Sequence, residues 1–247
     1  MSTRRAHLGR YLLWQLRDYL MQQAPATMIV LCLFGYLTIA PVLHGVGGTL
    51  AALPASVHQR LLAEFLASFV LLGTLFATNG IVSTDRKHGF YRFLFAKPVS
   101  APRFYTNAFV ANGVGMLLVG LFLLGLYSAL VHPSWTASFV PVVAAMYVAY
   151  GGVGFLLSTV WRYDWLSLVT VAVVASIGWE LWGDDAGIRG WLVHLLPPTH
   201  KAGEVYAYVA GASATFPWAT LIWLVGYGFA CFVLGLVVLR RRSLATA

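Results

Sequence analysis

Long apolar stretches alternate along this chain with short segments that carry most of its charge. A helix that crosses the hydrocarbon core of a bilayer, about 30 Å thick, needs about 20 mostly apolar residues. Dividing the apolar stretches at their Pro, Gly and polar breaks yields six segments of suitable length. They cover residues 25–45, 61–83, 105–131, 138–160, 165–182 and 218–239. The pattern therefore predicts an all-α, polytopic membrane protein with six transmembrane helices.

Two of these segments form one helical hairpin. The stretch from Phe104 to Trp161 contains no Asp, Glu, Lys or Arg and is long enough for two helices, which His132, Pro133 and Ser134 would join. The fifth segment is the shortest, because only 15 uncharged residues separate Asp164 from Glu180. It can span only if Glu180 lies near a headgroup or in a polar interior.

The first 24 residues differ from the rest, because apolar and basic positions alternate there with a helical period. Arg10 and Arg17 point away from an apolar face made of Leu8, Leu12, Leu16, Tyr19 and Leu20. This pattern predicts an amphipathic helix that lies along the inner membrane surface. It serves either as a simple anchor or also as a contact for a cytoplasmic partner, and Pro25 would mark the turn into the first span.

Composition and charge agree with a membrane protein, since 60% of the residues are hydrophobic and only 10% are charged. With six spans and the N-terminus inside, thirteen of the sixteen Lys and Arg residues lie on the inner side. The outer side keeps Arg60, Arg189 and Lys201. Because cytoplasmic loops carry the positive excess, we expect a multi-pass protein of the cell inner (plasma) membrane with both termini in the cytoplasm. Contacts with anionic membrane lipid then explain the net charge of +8, and no nucleic acid is implied.

Glycines and aromatic residues are frequent in and around the predicted spans. Close helix packing is the expected role of Gly113, Gly115, Gly151, Gly152, Gly154, Gly226 and Gly228. Aromatic belts at the membrane surfaces explain the Tyr and Trp residues near the helix ends, although some could line a path for lipid or glycan. Trp179, Trp182 and Trp218 are among them. The two cysteines lie in the first and last spans, so no disulfide framework or metal motif is predicted.

The most specific motif lies in the cytoplasmic loop 84–104, between the second and third predicted spans. An acid and a base stand at the membrane exit, a glycine follows, and a short apolar helix leads to a proline. These positions are Asp85, Arg86, Gly89, Phe90, Phe93, Leu94 and Pro98. Such a helix can dock its apolar side in the groove of a partner protein.

This loop resembles a segment of the permease subunits of type-2 (ABC-2) ATP-binding-cassette exporters. The match comprises Asp85-Arg86, Gly89, Phe93-Leu94 and Pro98-Val99-Ser100. The resemblance extends to the wider plan of an interfacial helix, six spans and inner termini. It implies that the seven loop residues named above couple the chain to an ATPase subunit. The family usually has Glu at the position of Asp85, and often a small or polar residue at that of Phe90.

No Gly-rich phosphate loop ending in Gly-Lys-Ser or Gly-Lys-Thr is present in the sequence. The resemblance therefore implies that a separate ATP-binding-cassette subunit binds ATP and Mg and hydrolyses the nucleotide. This chain would be a transport subunit rather than an enzyme, and it would need no cofactor of its own. The resemblance further implies two ATPase subunits and two permease subunits, which are either identical or different.

The outer segment 183–217 is the second candidate site. Its apolar face is too short to span and contains Ile188, Trp191, Leu192, Leu195 and Leu196. Similar family members have re-entrant or interfacial helices here, near the exit of the transport route. Glu180 and Trp191 are thus candidates for the substrate path, since an ionisable residue within the membrane is a functional hint. The alternative for Glu180 is a headgroup-level position near Arg189.

An ion-coupled secondary transporter or a channel is the alternative function. Such proteins normally place several ionisable residues at midmembrane depth. This chain offers little beyond Glu64 and Glu180, both toward the outer side. A haem carrier would need histidines paired across spans, whereas His44, His58, His132, His194 and His200 fall at outer ends or in outer loops. The transported substrate remains open among drugs, lipids, glycans, small peptides and ions.

Overall fold

The computed structural model describes residues 2–46, 53–79, 81–82, 85, 100–134, 136–160, 164–185 and 187–241. The fold is all-helical, and the described residues include no strand. The elements in chain order are α1 (Ser2–Asp18), a π-helical segment (Tyr19–Gln23), α2 (Ala24–Val46), α3 (Ala55–Thr78), α4 (Ala101–Leu130), α5 (Phe139–Val160), α6 (Asp164–Trp182), α7 (Ile188–His194), a 3₁₀ turn (Thr199–Lys201), α8 (Ala202–Val209) and α9 (Trp218–Arg241).

Five helical stretches within the described residues are long and apolar enough to cross a bilayer, which indicates a multi-pass membrane protein. They are Arg10–Pro41, which runs through α1 and α2, and the helices α3, α4, α5 and α9. The apolar part of α6, Ser167–Trp182, is shorter. At a rise of about 1.5 Å per residue it falls short of a core of about 30 Å. A sixth crossing therefore stays a prediction.

The N-terminal helix does not end at Pro25, where the sequence predicts a turn. Helical backbone continues from Ser2 to Val46, and the π-helical segment lies immediately before this proline. The backbone N–H of Ala24 donates to the carbonyl oxygen of Tyr19, which is the wider hydrogen bond of a π turn. Since proline lacks an N–H and crowds the preceding turn, a local π turn lets the helix pass Pro25 without stopping.

One buried stripe runs along this N-terminal helix. It contains Gln15, Tyr19, Ala24, Thr27 and Leu31 at helical spacing. The ring of Tyr19 lies against Gly115 at the middle of α4, so closely that a Cβ atom at Gly115 would collide with it. The opposite side is exposed and apolar, and includes Leu13, Met21, Ile29 and Tyr36. The helix thus packs against α4, and its placement along the inner membrane surface stays a prediction.

The helices α3, α4, α5 and α9 form the packed core. Aromatic rings interlock across it, with the Phe109 and Phe232 ring centroids 4.6 Å apart and those of Phe155 and Phe232 4.8 Å apart. The closest approach joins α5 to α9, where a Cβ atom at Gly152 would meet the carbonyl oxygen of Gly228. Small residues allow this approach, because no side chain separates the two backbones.

Buried polar side chains connect the core helices to one another. Asn112 of α4 donates from Nδ2 to the Ala77 carbonyl oxygen of α3 at 2.7 Å. Tyr147 of α5 donates from its hydroxyl to the Phe109 carbonyl oxygen of α4 at 2.7 Å. Because these groups bond to backbone carbonyls, they stabilise helix contacts inside the apolar core.

Candidate functional site

The candidate coupling site, which the sequence predicts to be cytoplasmic, lies in the connection between α3 and α4. Among the predicted coupling residues, the structure describes Asp85. The remaining six, Arg86, Gly89, Phe90, Phe93, Leu94 and Pro98, lie outside the described residues. Their assignment to a coupling helix therefore stays a prediction from the sequence.

Asp85 is half-buried and is held by a residue of α4. The hydroxyl of Tyr105, which is fully buried, donates to Asp85 Oδ2 at 3.1 Å. A hydrogen bond to a carboxylate is stronger than one between neutral groups. The acid that opens the motif is thus attached to the transmembrane core. Sequence reasoning missed Tyr105, whose only signal is an aromatic hydroxyl in the first turns of a span beside an acidic loop.

Both helices are also well defined where they flank this connection. The backbone N–H of Asn79 closes the end of α3 on the Leu75 carbonyl oxygen at 2.9 Å, and that of Phe104 bonds to Ser100 at 3.1 Å. Nearby, Asn112 bonds to Ala77 and so joins α4 to the last turn of α3. The connection between α3 and α4 therefore begins and ends on two helices that are hydrogen-bonded to each other.

The second candidate site, which the sequence predicts to be on the outer side, contains α7, the 3₁₀ turn and α8. Trp191 is 65% exposed on α7, and the same apolar surface includes Ile188, Leu192 and Leu195. Gly190 and Val193 form the buried side of this short helix. Four of the five residues of the apolar face predicted from the sequence are therefore exposed, whereas the fifth, Leu196, is half-buried. A short helix of this kind suits the membrane interface, where apolar side chains enter the headgroup boundary.

Glu180 lies near the C-terminal end of α6, and its side chain is exposed. Glu180 and Arg189 form no ion pair within 4.0 Å; among the described residues the ion pair present joins Arg60 to Glu64 at 2.8 Å. Neither a hydrogen bond nor a ring contact joins Glu180 to Trp191. The structure thus does not unite the two proposed path residues into one site.

An aromatic cluster that joins α6 and α9 to the segment 183–217 was not predicted. Trp179 lies 4.1 Å from His200 and 4.6 Å from His194 between ring centroids, and Trp223 completes the group. Burial lowers the pKa of His200, and the charge of Lys201 adds to this effect. The imidazole of His200 stacks on the indole of Trp179 with an angle of 28° between the ring planes. The sequence offers no pattern for this cluster, because its residues come from separate elements.

An open cavity of about 250 Å³ lies between the start of α3, the connection between α4 and α5, and the end of α8. Its lining includes His58, Gln59, His132 and Thr136. Gln59 donates from Nε2 to the Gly211 carbonyl oxygen at 2.9 Å. Gly211 has a φ of +77°, a left-handed conformation that favours glycine. These contacts give the cavity a defined polar wall.

No protein-family model matches this chain, and no match was found among curated proteins. The resemblance to ABC-2 permeases thus depends on the loop motif and on the helical plan. Its functional content is a proposal.

Proposed function

We propose that this chain is the permease subunit of an ATP-driven exporter of the ABC-2 type. It crosses the inner membrane six times with both termini in the cytoplasm and forms part of the substrate path. A separate ATP-binding-cassette subunit binds ATP and Mg and docks on the loop between α3 and α4. A second permease subunit completes the transmembrane unit.

The observation that carries this proposal is the attachment of the motif to the core. Tyr105 binds the Asp85 carboxylate, and Asn112 of the same helix binds the Ala77 carbonyl oxygen of α3. A displacement of the loop is therefore passed to α3 and α4 together. This is what a coupling element requires, because ATP-driven motion must bias two arrangements of the membrane helices.

The packing of the described core supports a path shared with a second subunit. Aromatic contacts and close glycine contacts occupy the space between α3, α4, α5 and α9. Large apolar side chains remain exposed on the N-terminal helix, α4 and α9. A route for substrate is thus better accommodated on a helix face between two permeases than inside one chain.

The ion-coupled alternative has less support. Glu64 lies on the outer half of α3 and is paired with Arg60, and both side chains are exposed. Glu180 is exposed near the end of α6. Ion-coupled transporters instead place their ionisable residues in the interior at midmembrane depth.

The decisive experiment replaces Phe93 and Leu94 together by Asp. If both side chains enter a groove of the ATPase subunit, the new carboxylates lose their hydration there without a partner, at a cost of several kcal/mol. We expect association with the ATPase to weaken by orders of magnitude, since about 1.4 kcal/mol is a tenfold change. Co-purification from membranes, with the ATPase identified by mass spectrometry, measures the effect.

The matched control carries the same two charges at the C-terminus, as Leu244→Asp and Ala245→Asp. It should retain the ATPase, because only the coupling loop is proposed to dock. Membrane abundance is measured for both variants to exclude failed insertion. Wild-type association and ATPase rate in the Phe93→Asp/Leu94→Asp variant would show that this loop is not the coupling element.

A further inference from the structure

Two histidines that are far apart in the sequence meet at the outer cavity. His58 belongs to the first turn of α3 and is 5% exposed, whereas His132 directly follows α4 and is half-buried. Their ring centroids are 4.4 Å apart and the ring planes form an angle of 53°. We infer that His58 and His132 together bind a divalent first-row transition metal ion, with Cu²⁺ preferred. This inference is independent of the proposed transport function.

The ring separation suits two imidazoles on one ion. With metal–nitrogen bonds of about 2.0–2.1 Å and angles of about 90–110°, two coordinated rings have centroids about 4.5–5 Å apart. The observed 4.4 Å is close to the lower end of this range. The separation of the two rings is therefore compatible with one nitrogen of each ring on a common ion.

A hydrogen bond at Nδ1 of His132 leaves Nε2 of the ring as the atom that can bind a metal ion. Its Nδ1 lies 2.9 Å from the Pro133 carbonyl oxygen, which can only accept, so Nδ1 carries the proton. The neutral ring then has its lone pair on Nε2. Metal-binding histidines commonly donate their other N–H to a backbone carbonyl in this way. The hydroxyl of Ser134 donates to the His132 carbonyl oxygen at 2.9 Å and stabilises the connection.

Neutral oxygen donors line the same cavity. Gln59 uses its Nε2 for Gly211, which leaves the amide oxygen as the donor atom of that side chain, and Ser134 and Thr136 contribute hydroxyls. The cavity of about 250 Å³ also has room for coordinated water. Two nitrogens completed by oxygens favour Cu²⁺ or Ni²⁺, and Cu²⁺ binds such ligands most strongly.

The described residues contain no group of three or more His, Cys, Asp and Glu that could hold a metal ion. The two imidazoles must therefore provide most of the affinity. A bound ion would join the start of α3 to the connection between α4 and α5. It would thereby restrict the outer ends of two membrane helices relative to each other.

The test uses the full chain, purified in lipid nanodiscs without a histidine tag and titrated with Cu²⁺ near neutral pH. The titration should saturate at one Cu²⁺ per chain. Electron spin echo envelope modulation, a form of electron paramagnetic resonance, should then detect two imidazole nitrogens on the bound ion. His58→Gln and His132→Gln should each weaken binding by at least about 10-fold, as expected for losing a main ligand. Because His132 is half-buried, its variant should fold, which metal-free thermal unfolding verifies.

His194→Gln is the matched control. His194 also bonds through Nδ1 to a backbone carbonyl, that of Gly190 at 2.7 Å, but it is not among the described residues that line the cavity shared by His58 and His132. This variant should keep the wild-type affinity. Unchanged Cu²⁺ affinity in His132→Gln, or a wild-type spectrum with fewer than two imidazole nitrogens, would overturn the inference.

Discussion

The α5–α9 pair and the N-terminal helix use apolar residues in opposite ways. More than half of the apolar window of α5 is buried, at 61%, and its contact with α9 brings two backbones together at Gly152 and Gly228. In the N-terminal stretch Arg10–Pro41, only 17% of the corresponding window is buried. One helix is thus packed into the core, whereas the other presents most of its surface to lipid or to another subunit.

This difference shows what decides contact in a membrane protein. Lipid is as apolar as a leucine side chain, so an exposed apolar surface gains little from burial. Helices associate where their shapes allow close packing and interhelical hydrogen bonds. Gly152 and Gly228 provide such a shape, and the N-terminal helix provides it along one stripe that includes Tyr19.

The largest effect is expected from a substitution that breaks the contact between α5 and α9. Gly152→Leu places a side chain where the Gly228 carbonyl oxygen lies, and backbone cannot move aside as a side chain can. Overpacking in a core costs about 1–3 kcal/mol and occasionally more, and we expect the upper part of this range. Denaturant unfolding in detergent and the yield of monodisperse protein measure the loss.

Gly226→Leu is the control for this substitution. No atom of the described residues lies within 4 Å of a Cβ at Gly226, so its expected role in close packing is wrong within this part of the chain, and Leu should be tolerated. Equal losses of stability in the two variants would show that the backbone contact is not the stabilising feature.

A smaller effect is expected where the N-terminal helix meets α4. Tyr19→Ala removes the ring that lies on Gly115, at a cost of up to about 3 kcal/mol. Gly115→Ala should also destabilise the wild type but should be tolerated once Tyr19 is Ala, because the colliding ring is gone. A double-mutant cycle in unfolding free energy measures this coupling.

Met21→Ala serves as the control on the exposed side of the same helix, because Met21 is 70% exposed. Its effect should remain within about 0.5 kcal/mol. Strict additivity of Tyr19→Ala and Gly115→Ala would contradict the proposed contact between the helix and α4.

The smallest effect concerns the attachment of the loop between α3 and α4. Tyr105→Phe removes the hydroxyl that donates to Asp85, which should cost about 1–2 kcal/mol. The helices should stay intact while the loop opens more often. Hydrogen exchange of peptides covering residues 83–99 should therefore accelerate relative to the wild type.

Tyr208→Phe is the matched control, since Tyr208 lies on α8 and contacts Phe216 through its ring. It should leave exchange in the loop unchanged. If Tyr105→Phe exchanges at the wild-type rate as well, the hydrogen bond to Asp85 does not restrain the loop.

The long apolar helices were predictable because length and hydrophobicity are local properties. The predicted segment 138–160 matches Phe139–Val160, and 218–239 lies within Trp218–Arg241. The predicted turn at Pro25 is wrong, because a π turn accommodates the proline and the helix continues past it. Sequence reasoning treated Pro25 as a local stop, because the sequence carries no signal for the π turn that precedes this proline.

The candidate sites were less predictable than the helices. Asp85 was identified from a motif, but its partner Tyr105 belongs to the next helix and carries no motif of its own. The histidines His58 and His132 were each assigned to an outer end, and only the folded chain brings their rings together. Contacts of this kind depend on the rotation of helices about their axes.

By itself, the sequence determined that this protein is helical, that it enters the membrane repeatedly and where its main helices lie. The rise per residue of an α-helix and the apolar composition of the segments are sufficient for those conclusions. The tertiary structure decided which side of each helix packs, which glycines touch backbone and which polar residues meet. In a membrane helix every side is apolar, so hydrophobic periodicity does not mark the packed side, and only shape and hydrogen bonding select it.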